Sequence, residues 1–278
     1  MITVSEQPFD ISAMTREYPA NSIENQLLHM MASSLDIYQY NSPSTLKLEL
    51  NLRKEIVNAA TELNDSGLSF AVFHKSRCNH RYWSRTNEGG FVLNAGAAPA
   101  RAINDIFING GEYATECATA IMIVYYKALL TVFGEDLFNQ EFPRIYLYSW
   151  ESEPILGDMV VKDHVSTILI GDGAYFENPD YNPETPQWQG ENVIALPNSM
   201  YYGHGIGIAS AGDIIAALNA ERRYGATEPA YLSHSVNRLD YQKLSGMYAV
   251  PTSAPASPPE PEPSLLVWSP FPAPITRG

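Results

Sequence analysis

The sequence predicts a single α+β domain in which one buried helix packs on short strands of a mostly antiparallel sheet. The segment Glu116–Phe133 is apolar on almost every side, and such a helix lies inside a core rather than on a surface. Strand-like segments precede and follow it in the chain, an arrangement typical of α+β proteins. A chain of 278 residues has the length of one large domain.

The other helices are predicted from apolar periodicity and from residues that end helices. Within Ser44–Leu63, the side chains of Leu46, Leu50 and Ile56 recur at helical spacing, and Gly67 follows the end of the segment. Residues 1–22 show no regular pattern. Further helices are predicted at Ile23–Ala32, Ala100–Ile108 and Asp213–Arg223.

Short runs of β-branched and aromatic residues between turn residues predict the strands. The predicted strands are Leu68–Phe73, Arg81–Ser84, Phe91–Leu93, Arg144–Trp150, Val165–Ile170, Asn192–Leu196, Tyr201–Ile208 and Ala230–Val236.

The composition changes at Pro251, where a proline-rich segment begins. Nine of the last 28 residues are proline, which favours polyproline II or disorder over helix and central strand. We therefore expect a single catalytic domain at residues 1–250 and a flexible tail at residues 251–278. The apolar stretch Leu265–Trp268 in this tail is either a docking motif or a solvated tip.

Charge and composition exclude several classes of function. A formal net charge of −14 disfavours nucleic acid and anionic membranes as partners. The N-terminal residues show no basic leader with an apolar stretch behind it, so we expect no signal peptide. The longest apolar segment contains Lys127 and is shorter than the roughly 20 residues that span a bilayer. Two cysteines are too few for a disulfide framework, which favours a reducing compartment.

Cys117 is the candidate nucleophile because it stands at the predicted start of the buried helix, soon after Gly110 and Gly111. A helix N-terminus offers unpaired N–H groups and a partial positive charge, which favour thiolate over thiol. The thiolate is the attacking group in acyl transfer. The alternative is a packing role, since free cysteines are often buried.

Glu116 directly precedes Cys117. Its charge disfavours ionisation of the thiol while the helix start favours it, so the two groups are expected to titrate together. The plainer alternative is an acid that complements the helix dipole.

Glu191 and His204 are the candidate proton carriers. Glu191 lies three residues after Trp188, and a carboxylate beside an indole is partly desolvated, which raises its pKa and suits it to general-base work. His204 stands between Gly203 and Gly205, where close backbone approach lets it line a cleft, and a cysteine hydrolase would use it as the base. A solvated loop acid and a histidine satisfied in a sheet are the alternatives.

Cys78 lies between His74 and His80, which together supply three possible metal ligands. Their spacing is irregular and no second cluster completes a site, so an ordinary polar loop is the better interpretation. We expect neither a metal nor a cofactor.

Four segments between residues 47 and 240 carry, by their order and spacing, a resemblance to a known family. They are FAVFHK with Tyr82–Trp83, YATECATAIMIVYYKALL, GDGAYFENPDYNPETPQWQGENVI and YGHGIGI. With these segments the chain resembles the bacterial spore-coat transglutaminases of the Bacillus type, the protein-glutamine gamma-glutamyltransferases.

The resemblance implies a papain-like, NlpC/P60-like core with Cys117 and Glu191 as the catalytic pair and Glu116 able to assist. It also implies an aromatic tunnel to the nucleophile. The tunnel and substrate-binding residues would be Phe70, Trp150, Tyr175, Trp188 and His204.

The implied activity is calcium-independent crosslinking, in which the acyl group of a protein glutamine passes through a thioester to a lysine amine. The implied partners are glutamine- and lysine-bearing spore-coat proteins, with the enzyme a monomer made in the mother-cell cytoplasm and placed on the coat. Two alternatives remain open: a cysteine peptidase or amidase that uses His204, and a non-catalytic coat protein.

Overall fold

The computed structural model describes residues 1–149, 156 and 160–248. The proline-rich tail and Trp150 lie outside the described residues, so the predicted domain boundary and the predicted role of Trp150 stay predictions.

The helices have the following bounds: α1 Ser12–Thr15, α2 Ile23–Ser33, α3 Pro43–Asp65, α4 Pro99–Ile108, α5 Cys117–Phe133, α6 Glu135–Glu141, α7 Ala211–Ala220 and α8 Tyr241–Tyr248.

The core is built around α5. All of its residues from Ala118 to Tyr126 are buried, as predicted from their apolar pattern. The helix packs against α3 along one side. The hydroxyl of Ser42 caps α3 by accepting from the N–H of Thr45, and Pro43 occupies its first turn, where a missing N–H costs nothing.

The strands are β1 Ile2–Val4, β2 Gln7–Pro8, β3 Tyr38–Tyr40, β4 Ser69–Phe70, β5 Trp83–Arg85, β6 Phe91–Leu93, β7 Ala114–Thr115, β8 Tyr146–Leu147, β9 Val160–His164, β10 Gly173–Glu177, β11 Gly190–Ala195, β12 Met200–Gly203, β13 Gly207–Ser210 and β14 Tyr231–Leu239. Six of them form an antiparallel sheet in the order β13-β12-β11-β10-β14-β9. Helix α5 packs on β11 of this sheet. The smaller sheets have the orders β2-β1-β3, β4-β7 and β5-β6-β8.

A buried ionic cluster joins α3 to the sheet. Arg53 and Asp172 are fully buried and meet at 2.8 Å, and Arg238 on β14 approaches the same carboxylate at 2.7 Å. Glu49, one turn before Arg53 on α3, accepts from its Nε at 2.7 Å. Since buried charges are tolerated only when they are paired and hydrogen-bonded, this cluster fixes the turn before β10 against α3.

Three predictions about strands were wrong. Val165–Ile170 is a turn rather than a strand. The apolar side chain of Leu169 enters the core, and the N–H of Leu169 donates to the carboxylate of Asp172 at 2.7 Å. Tyr201–Ile208 is a hairpin of β12 and β13, which turns at Gly205 with a φ of 106°. Residues 1–22 contain β1 and β2, which pair with each other. β1 also pairs with the later strand β3, and such a distant pairing leaves no local pattern.

Within the described residues, no helix is long and apolar enough to cross a membrane.

Candidate active site

The start of α5 carries the predicted nucleophile. Glu116 is the N-cap residue, and its carboxylate accepts from the N–H groups of Ala118 at 2.9 Å and Thr119 at 2.8 Å. Cys117 is therefore the first residue of the helix, where the sequence predicted it. An acid in this position satisfies orphan donors and interacts favourably with the helix dipole.

The sulfur of Cys117 lies between an acceptor and a donor. Its S–H donates to Oε2 of Glu116 at 3.6 Å, and Nδ2 of Asn192 donates to the sulfur at 3.3 Å. Asn192 was not among the predicted site residues. No local sequence pattern singles it out, because its contact with Cys117 joins residues 75 positions apart.

The surroundings of Cys117 favour its neutral thiol over the thiolate. Burial raises the pKa of Cys117 far above its ordinary value, and the negative charges of Glu191 and Glu116 raise it further. The N–H groups of Asn192 oppose this effect. From the sequence, the helix start favours ionisation of the thiol and the neighbouring acid disfavours it. In the structure, burial has a larger effect on the pKa than the helix start.

Glu191 is the second acid of the site and lies within β11, one residue earlier than the predicted strand began. Its side chain is 3% exposed, and within the described residues its Oε1 has no hydrogen-bond partner. Burial raises the pKa of Glu191 well above the ordinary value of a carboxyl group, and the charge of Glu116 adds to the rise. The sequence expectation of a desolvated acid agrees with this geometry.

The nucleophile and this acid line two different, adjoining cavities. Cys117, Glu116 and Asn192 line a cleft of about 440 Å³, called here the nucleophile cleft. Glu191 lines a pocket of about 70 Å³, called here the acid pocket. Phe70 lines both spaces, and the parallel pairing of β4 with β7 brings it level with Thr115, just before Glu116.

The acid pocket has a largely aromatic wall. Trp188 and His204 line it together with Phe70. A further cavity of about 200 Å³ is also lined by Phe70 and His204. Phe70 therefore lines all three spaces.

Tyr175 lies opposite Asn192 in the register of β10 and β11. Burial, followed by the charge of Cys117 in its thiolate form, raises the pKa of Tyr175 to about 12. The structure therefore groups Phe70, Trp188 and His204 around Glu191 and leaves Tyr175 closer to the nucleophile.

His204 is buried and both of its ring nitrogens are engaged. Nε2 lies 3.2 Å from the carbonyl oxygen of Ser69, which can only accept, so Nε2 carries the proton. Nδ1 then accepts from the hydroxyl of Tyr202 at 3.3 Å. Burial lowers the pKa of His204 to about 4. A neutral imidazole tied to β4 and β12 leaves no ring nitrogen for the thiol, which argues against the hydrolase alternative.

The structure does not bring Cys78, His74 and His80 together in one site. Cys78 is buried and its S–H donates to the carbonyl oxygen of Trp83 at 3.7 Å. His74 lines the nucleophile cleft instead. Among the residues that the structure describes, no group of three or more His, Cys, Asp or Glu side chains is arranged to hold a metal ion.

The model of a protein family described as protein-glutamine gamma-glutamyltransferase matches residues 1–248. The chain belongs to this family. It is a transglutaminase, and the predicted acyltransferase class is confirmed. The match also includes the first 46 residues, which lie before the range that carried the sequence resemblance.

Two curated relatives of this transglutaminase are both named protein-glutamine gamma-glutamyltransferase. One, from Bacillus mycoides, is 42% identical over 241 residues, or 86% of each chain. The other, from Halalkalibacterium halodurans, is 39% identical over 239 residues, which are 86% of this chain and 82% of that protein.

A solved structure is similar throughout most of its length. The transglutaminase from Geobacillus stearothermophilus, solved without its C-terminal extension, matches with a TM-score of 0.71 and 45% identity. The match covers 74% of this chain and 98% of that one. It confirms the predicted α+β, papain-like fold class of the transglutaminase.

Proposed function

We propose that this transglutaminase crosslinks proteins by moving the acyl group of a glutamine side chain to a lysine amine through a thioester on Cys117. The observation that carries the proposal is the position of the sulfur between Glu116 and Asn192 in the nucleophile cleft, with a second, buried acid in the adjoining pocket. An acceptor for the thiol proton and a separate acid for the leaving group are what amide transfer requires.

In the first step, the sulfur forms a bond to the carbonyl carbon of the glutamine amide. The thiol proton passes to Oε2 of Glu116, the acceptor it already contacts. The C–N bond breaks, and the protonated carboxyl of Glu191 gives its proton to the leaving nitrogen, so that ammonia departs. The raised pKa of Glu191 keeps that proton available at neutral pH.

In the second step, a neutral lysine amine attacks the thioester. Its proton passes to the carboxylate of Glu191, and the C–S bond breaks while the sulfur recovers its proton from Glu116. The product is an isopeptide bond, and both acids return to their starting states. Exclusion of water is essential here, because water would convert the thioester to glutamate. Phe70 and Trp188 supply apolar walls for that purpose.

We further propose that the substrates are glutamine- and lysine-bearing proteins of the spore coat and that the enzyme acts there as a monomer after synthesis in the mother cell. The similarity to enzymes from Bacillus species supports this setting. The reaction is proposed to need no calcium, which predicts full activity in a calcium chelator.

The test is incorporation of a fluorescent primary amine into a glutamine-bearing protein whose lysines are blocked, with ammonia release measured in parallel. Cys117→Ala should abolish both signals. Glu191→Gln should lower incorporation by about 100-fold or more, since it removes a proton carrier. Glu116→Gln should also lower incorporation, since it removes the acceptor of the thiol proton.

Cys78→Ala is the matched control, because it removes the other cysteine, whose thiol is buried and has its pKa raised to about 11. It should leave incorporation unchanged. Amine incorporation by Cys117→Ala would disprove the proposal. Ammonia release without incorporation by the unmodified enzyme would instead support a hydrolase.

A further inference from the structure

The reaction needs a donor for the oxyanion of its tetrahedral intermediates, and Asn192 is placed to supply it. Its Nδ2 is 3.3 Å from the attacking sulfur. An amide nitrogen has two N–H groups, so a second N–H remains when one meets the sulfur. Asn192 lines the nucleophile cleft, the space that an acyl group bound at the sulfur would enter.

The strand that carries Asn192 explains why two functional groups are neighbours in sequence. Successive side chains of a strand point to opposite faces. On β11, Glu191 accordingly lines the acid pocket and Asn192 lines the nucleophile cleft. Pairing of Asn192 with Tyr175 fixes its backbone inside the six-stranded sheet, so the amide is held on a rigid element.

The charge balance of the cleft makes such a donor necessary. The sulfur contacts the carboxylate of Glu116 and is subject to the charge of Glu191 as well, and none of the described residues that line the cleft is Lys or Arg. The cap formed by Glu116 takes the N–H groups of Ala118 and Thr119 rather than that of Cys117. The N–H of Cys117, the first of the helix, is therefore not taken by this cap.

We propose that Asn192 is a catalytic residue that stabilises the attacking sulfur as it loses its proton and, together with the main-chain N–H of Cys117, binds the oxyanion. This inference rests on the proposed thioester mechanism. Loss of the Asn192 amide would lower the rate of the chemical steps and would weaken substrate binding much less.

The test uses Asn192→Ala and the nearly isosteric Asn192→Asp, both in the Cys78→Ala background so that a single thiol remains. Removal of one oxyanion donor typically costs about 100- to 1,000-fold in kcat. We expect a loss of that order for both variants, with KM changed by less than about threefold. Alkylation of Cys117 by iodoacetamide at about pH 8 should slow by about fivefold or more, because the thiolate fraction falls. It should be slowest in Asn192→Asp, which adds a third acid.

Asn237→Ala is the matched control, since Asn237 is a half-buried asparagine on β14 of the same sheet. It should change neither kcat nor the alkylation rate. Thermal unfolding establishes that the variants are folded, and the isosteric Asn192→Asp provides the readout if the alanine variant is not.

A kcat within about tenfold of the parent, or an unchanged alkylation rate, would overturn the assignment of Asn192. Neither result would affect the thioester mechanism, which Cys117→Ala tests separately.

Discussion

A Cβ atom at Gly203 would lie 3.0 Å from both Cγ and Oε1 of Glu191. Gly203 ends β12 and is paired with Val193 of β11, so its backbone is fixed beside the acid. The glycine before His204 therefore leaves room for the carboxyl group of Glu191 in a pocket of about 70 Å³.

Gly203→Ala is expected to displace the carboxyl of Glu191 by a few tenths of an ångström and to lower amine incorporation by about tenfold, since small misplacements of catalytic groups are costly. Gly246→Ala provides the control, because a Cβ there meets nothing within 4 Å. Equal activity of the two variants would show that the acid does not depend on this contact.

His204 gives a prediction about stability and pH. Its folded pKa is lowered from 6.5 to about 4, so the unfolded chain takes up a proton first as the pH falls. The free energy of unfolding is therefore unaffected by this group above about pH 6.5. It falls by about 3 kcal/mol on acidification towards about pH 4. In His204→Asn this part of the pH dependence should disappear from urea unfolding curves.

The same variant tests the role of the imidazole in catalysis. Because Ser69 and Tyr202 engage both ring nitrogens, folded His204→Asn should keep measurable amine incorporation, in contrast to Cys117→Ala. Activity as low as that of Cys117→Ala in a folded protein would restore His204 as a candidate base.

Glu191→Gln is expected to stabilise the protein while it inactivates it. The folded pKa of Glu191 lies above the ordinary value of 4.5, so its contribution to stability is present below about 4.5 and is lost as the pH rises through the folded pKa. The glutamine variant has no charge to desolvate and should resist urea better than the parent near about pH 8. The two proteins should converge near about pH 4. A parent that is the more stable at the higher pH would contradict the burial of an ionisable acid.

The sequence predicted local features of the site better than its long-range contacts. The start of α5 was predictable because Glu116 caps the helix and the apolar residues follow at once. The contact of Asn192 with Cys117 joins residues 75 positions apart, and no local pattern announces it. The apolar content of Val165–Ile170 predicts a strand, yet the pairing of Asp172 with Arg53 bends the chain there. Tertiary contacts override propensity at such places.

Phe70 is expected to influence whether an amine or water takes the acyl group from the thioester. It lines the nucleophile cleft, the acid pocket and the further cavity, so its loss should enlarge all three spaces. Phe70→Ala should admit water to the thioester and raise the ratio of ammonia released to amine incorporated by about tenfold. Phe70→Leu, which keeps an apolar side chain of substantial volume, should raise it less. Tyr224→Ala removes a fully exposed aromatic ring and should leave the ratio unchanged. If Phe70→Ala lowers both signals in proportion, the ring positions the glutamine substrate and does not exclude water.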